Sequence, residues 1–234
     1  MKRDQSPVLP GSGATDYARY MRTDVLLDLQ RSPAEMLHRD ELLFQVVHQS
    51  TELWLKLAVA ELTEATARVG AGDPAAAEAL LARATLAVRL VTDQLEMFRH
   101  LSPADFQAMQ PALGNGSGAE SPGWRQVQAA SRQLGRAFAD CLADRGIAVA
   151  ALFPADPAEP VHRLAEAMVE WDERVSLWRA RHYEVALRVG GYAPAGAPDT
   201  PATMLAKLVG HRFFPDLRQA RLQPAGDDSG AARP

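Results

Sequence analysis

The stretch between Val161 and Val189 constrains the fold more than any other part of this chain. Leu164, Met168, Trp171, Val175, Trp178, His182, Val185 and Val189 recur at alternating steps of four and three residues. At 3.6 residues per turn that spacing places all of them on one face of a helix. A stripe this long must be buried against partner elements. Those partners are expected to be helices, because 47% of the 234 residues are hydrophobic, Ala and Leu dominate them, and β-branched residues are thinly spread. The fold class expected is all-α.

Punctuation divides the rest of the chain. Residues 1–13 hold Pro, Gly and Ser without periodicity and read as a flexible N-terminal arm; residues 14–223 read as a single helical domain; residues 224–234 read as a disordered tail. Thr15 or Asp16 caps a first helix predicted to run to about Arg31, where Ser32-Pro33 stops it. A second helix is expected from Arg39 to Val69, a third from Pro74 to His100, and a short one opened by Ser102-Pro103. Gly114-Asn115-Gly116-Ser117-Gly118 can only be a loop. Further helices are expected over Trp124 to Arg145, Val161 to Val189, and Ala202 to Val209.

Composition narrows the function. A formal charge of −4, with basic and acidic residues interspersed, leaves no footprint for nucleic acid. No apolar run is long enough for a membrane span and no signal-peptide order stands at the N-terminus, so a cytoplasmic protein is expected. Cys141 is the only cysteine, which excludes intramolecular disulfides and cysteine-cluster metal sites. Any metal must be held by His or carboxylate, or arrive inside a cofactor. Dinucleotide, P-loop, zinc-protease and serine-hydrolase motifs are absent. Asp40 and Glu41 read as charges that complement a helix dipole.

Two histidines stand out. His182 lies within the long apolar stripe, where each ring nitrogen needs a partner or pays a desolvation penalty of roughly a few kcal/mol. It is either a core histidine bonded to a carbonyl or a carboxylate such as Asp172, or a ligand to a metal or haem. Phe44 and His48, four residues apart on the second helix, share a face, and core packing explains that pair equally well.

The run from Asp40 to Lys56, DELLFQVVHQSTELWLK, resembles the signature of tryptophan 2,3-dioxygenases. Tyr17-Ala18-Arg19-Tyr20 before it, Leu101-Ser102-Pro103-Ala104-Asp105-Phe106 after it, a Gly-Ser loop, and then Trp178-Arg179-Ala180-Arg181-His182 follow the same order, so the resemblance covers about Thr15 to Leu217. It implies a helical bundle with haem b held between long helices, His182 as ligand to the iron with Trp178 of the same motif beside the cofactor, and His48 on the distal, oxygen-binding side. It further implies that Phe44 and Phe106 line the substrate ring, that Ser117 lies close to the haem, and that Tyr17 and Tyr20 reach into a neighbouring subunit's site. A homotetramer or dimer follows from that last implication. Two departures concern the substrate. Gln110 stands where the family carries an arginine for the amino acid's carboxylate, and Ala195-Gly196-Ala197-Pro198-Asp199-Thr200-Pro201 replaces a Thr-Gly-Gly-Ser-Ser-Gly loop. The segment between Arg125 and the His182 helix is also shorter than in the family.

The implied activity is oxygenation of an indolic substrate with O2, with C2–C3 dioxygenation as the family default and a substrate other than free tryptophan. A haem monooxygenase or hydroxylase of an aromatic amino acid derivative, or a haem sensor without turnover, are the alternatives that the sequence leaves open.

Overall fold

The computed structural model describes residues 9–114, 120–190 and 201–222. Nine α-helices and two stretches of 3-10 helix are found among them, and no strand. Four long helices make the body: α3 (Glu41–Gly70), α4 (Pro74–Asp93), α6 (Pro122–Asp144) and α7 (Pro160–Gly190). They follow α1 (Asp16–Met21) and α2 (Thr23–Leu26), are interrupted by the shorter α5 (Pro103–Leu113), and are followed by α8 (Pro201–Val209) and α9 (Pro215–Leu222). The all-α expectation holds. None of these helices is long and apolar enough to cross a membrane.

Helix starts are set locally. Asp73 and Ser121 cap α4 and α6 by accepting from Ala76 and Trp124 backbone N–H groups, each with Pro at the first helical position. Ser102 and Asp105 form a reciprocal capping box at the head of α5.

The helix predicted to run from Thr15 to Arg31 is broken. Arg22 adopts the left-handed region (φ 53°, ψ 39°), so α1 ends there and α2 lasts a single turn. The chain that follows is strapped along the start of α3 by side chains: Gln30 Nε2 donates to Gln49 Oε1 (2.6 Å) and the Arg31 N–H to Gln45 Oε1 (3.0 Å). Glu41 is 2% exposed and accepts from Arg31 Nη1 (2.8 Å), the His38 N–H (3.1 Å) and the Leu37 N–H. It therefore does more than complement a dipole, because it satisfies the backbone of the strap from inside.

α3 packs on α4 and α6, and α4 packs on α7. α6 and α7 meet through large side chains rather than by close backbone approach. Trp171 Nε1 donates to Ser131 Oγ (3.0 Å), and the Trp124 and Trp178 rings lie 3.9 Å apart. That pairing runs the two helices antiparallel. The turn before α9 wedges into the same seam: Phe214 lies 3.2 Å from where a Cβ on Gly135 would be. Asp172 accepts from the Phe213 N–H (2.9 Å) and the Phe214 N–H (3.2 Å).

Two hydrophobic clusters result. The larger, including Leu55, Leu62, Leu81, Leu134, Leu164, Met168 and Trp171, fills the bundle. A smaller one, of Val47, Leu95, Phe98, Leu101, Met109 and Val189, lies where α3, α5, the 3-10 helix Gln94–His100 and the end of α7 converge. Trp178 packs against both.

Candidate active site

The smaller cluster gathers the aromatic residues singled out in the sequence. Phe44 and His48 stack with ring centroids 4.1 Å apart, and Phe106 reaches the Phe44 ring at 6.2 Å from α5. His48 Nδ1 lies 2.8 Å from the Phe44 carbonyl oxygen. A carbonyl only accepts, so the bond assigns the proton to Nδ1 and leaves Nε2 of the neutral ring as an acceptor. His48 presents one side to solvent and packs the other against phenylalanine rings. Partial burial lowers its pKa, partly offset by the Phe44 carbonyl and by the negative charge of Glu52. The imidazole is therefore neutral near pH 7.

His182 sits across from this group, on α7. Its ring stacks nearly parallel on Trp178 (4.8 Å between centroids, 11° between planes), and Trp124 of α6 backs Trp178. Its Nδ1 is buried without a hydrogen-bond partner among the described residues, and so are the indole nitrogens of Trp124 and Trp178. Asp172, the carboxylate a core histidine in this stripe was expected to use, is engaged by the Phe213 and Phe214 backbone instead. Burial, reinforced by the proximity of His48, pushes the His182 pKa down to about 4. His182 is thus a neutral base with a free lone pair at any ordinary pH, and it is close enough to His48 for a charge there to disfavour its own.

The remaining candidates separate from this centre. Gln110 is exposed on α5, one turn beyond Phe106, and its amide makes no hydrogen bond among the described residues. Tyr17 and Tyr20 on α1 are 68% and 66% exposed and make no ring contact among the described residues. Ser117 and the segment 191–200 lie outside the described residues. Two surface grooves, one beside Glu78 and Arg163 and one beside Leu177 and Val209, contain neither His48 nor His182.

Two residues of the site were not identified from sequence. Trp124 gave no signal, because nothing local relates it to α7. Phe98 fell within the helix predicted from Pro74 to His100 with no role assigned, yet its ring lies 5.8 Å from both Phe44 and His48.

A family profile described as Tryptophan 2,3-dioxygenase matches residues 2–139. The chain belongs to the tryptophan 2,3-dioxygenase family. It is accordingly placed among oxidoreductases. It is 29% identical to a tryptophan 2,3-dioxygenase of Rhodococcus jostii over 88% of this chain and 91% of the relative. It is 26% identical to one of Xanthomonas campestris pv. campestris over 92% and 90%, and to one of Xanthomonas oryzae pv. oryzae over 89% and 88%. The Rhodococcus alignment spans 258 positions, more than the 234 residues of this chain, so the relative carries residues that this chain lacks.

Proposed function

We propose that this family member is a haem-dependent oxygenase that inserts both atoms of O2 across the C2–C3 bond of an indolic, tryptophan-derived substrate other than free tryptophan. The observation that carries the reading is His182, a half-buried, neutral imidazole whose Nδ1 is buried and unpartnered among the described residues, stacked on Trp178 and adjacent to an aromatic group that holds a second histidine. One such imidazole would suffice as the protein's ligand to the iron of haem b, because the porphyrin supplies the iron's remaining nitrogen donors. His182 is assigned as that ligand, with Trp178 fixing its ring plane. Bound haem supplies the site at which O2 is activated.

The chain's own residues supply position and dryness. His48 Nε2, free to accept, holds the indole N–H and so orients the ring; it needs no proton transfer for that role. Phe44 and Phe106 pack against the ring and keep water from it. Gln110 leaves an α-carboxylate without the bidentate, charge-assisted bonds that a guanidinium makes, which is the basis for excluding free tryptophan. The exposure of Tyr17 and Tyr20 supports their insertion into a neighbouring subunit's pocket, and hence a homotetramer or dimer.

The test is an optical spectrum of the haem-loaded protein, ferric and ferrous, titrated with indole, L-tryptophan and tyrosine. A histidine-ligated spectrum that indole perturbs, and that His182→Ala abolishes, is the expected result. An unchanged spectrum in His182→Ala moves the ligand elsewhere. Gln110→Arg is expected to tighten L-tryptophan binding, and truncation before Met21 to lower activity with haem retained.

A further inference from the structure

Phe98 stands at the back of the aromatic group, and its backbone explains why. α4 gives way at Gln94 to a 3-10 helix that runs to His100. In that geometry residues three apart eclipse one another. Leu95 and Phe98 accordingly share one face and are 3% and 5% exposed, and Leu101, the extended residue that closes the helix, is 2% exposed. That face turns Phe98 onto both Phe44 and His48, at 5.8 Å from each ring. Its surroundings are graded: His48 is open to solvent, Phe44 and Phe106 are half-buried, and Phe98 is buried. A ring that enters beside His48 and stacks on Phe44 therefore meets Phe98 last. Leu95, Leu101, Val47 and Met109 belong to the same buried cluster, and a close-packed cluster of this kind gives the Phe98 ring no room to retreat.

We propose that Phe98 sets the size limit of the substrate pocket and thereby selects indoles by the substituents they carry on the ring. The inference rests on the proposed placement of the indole beside His48. Phe98 is a specificity-determining residue with no part in the chemistry.

The experiment is a spectral titration of the haem-loaded protein and of Phe98→Leu and Phe98→Trp with two probes, indole and 5-bromoindole. The quantity read is the ratio of the two dissociation constants, because general loosening of the pocket lowers both affinities together and leaves the ratio alone. Phe98→Leu is expected to shift the ratio by about tenfold towards the larger probe, the scale on which apolar pockets discriminate added bulk. Phe98→Trp is expected to shift it the other way. Binding of both probes with an unchanged ratio in both variants overturns the inference and leaves the proposed function standing. Failure of the wild-type protein to bind either probe overturns the proposed function and the inference with it.

Discussion

The environment of His182 carries a thermodynamic consequence that needs no cofactor to measure. Its pKa falls from an ordinary 6.5 to about 4 on folding, because the ring is buried beside Trp178 and near His48. At pH 7 the ring is neutral in both the folded and the unfolded chain, and the shift has no effect. As pH falls through 6.5 the unfolded chain takes up a proton that the folded chain refuses, so the folded state loses stability until pH reaches the folded value. At 1.36 kcal/mol per pH unit the full loss is about 3 kcal/mol, and most of it is reached by pH 4.5. Phe in place of His182 keeps a flat ring against Trp178 and removes the titration. Urea unfolding of the haem-free wild type and His182→Phe, at pH 7 and pH 4.5, is expected to show the variant gaining about 2–3 kcal/mol on the wild type as pH is lowered. Parallel pH dependences would refute the argument, since they would mean that water reaches the ring and Nδ1 is not isolated.

Three further outcomes are expected. Asp172→Asn weakens the bonds that hold the Phe213 and Phe214 N–H groups and removes the counter-charge nearest the buried Arg179, so urea unfolding should register a loss of about 2–4 kcal/mol. A Cβ at Gly123 would lie 2.6 Å from Glu52 Oε2 and 2.8 Å from Leu55 Cβ. Thermal denaturation should therefore find Gly123→Ala destabilised by about 1–3 kcal/mol. Burial alone would raise the pKa of Glu41, but the N–H groups of His38 and Leu37 and the Arg31 guanidinium outweigh it and hold the carboxyl below its ordinary value. Its stabilisation is present above the unfolded pKa and is lost as pH falls through the folded one, so Glu41→Gln should be less stable at pH 6 and show a shallower decline towards pH 3 when both proteins are unfolded in urea.

The long helices were legible because each carries an apolar period over many turns between clear stops. The sequence reading of the Val161 to Val189 helix differs from the structure by one residue at each end. The break at Arg22 was not legible, since a left-handed arginine announces itself by neither Gly nor Asn. α9 was missed although Pro215 stands at its head, because Leu217, Ala220 and Leu222 are too few apolar residues for a period to emerge. In the candidate site, spacing was enough to bring out Phe44, His48 and His182. Trp124 was not found because its partner lies on another helix, and Phe98 was underestimated because its direction depends on a change of helix type at Gln94 that no local pattern marks.

The split of the interior into two clusters bears on how such a chain diverges. The bundle's larger cluster contains none of Phe44, His48, Phe98 or Phe106; three of these are phenylalanines of the smaller one, which the larger shares only through Trp178. Replacements among those rings draw on a minor part of the folding energy and leave the main scaffold intact. A lineage can therefore drift through many pocket shapes without crossing the threshold at which the molecule ceases to fold.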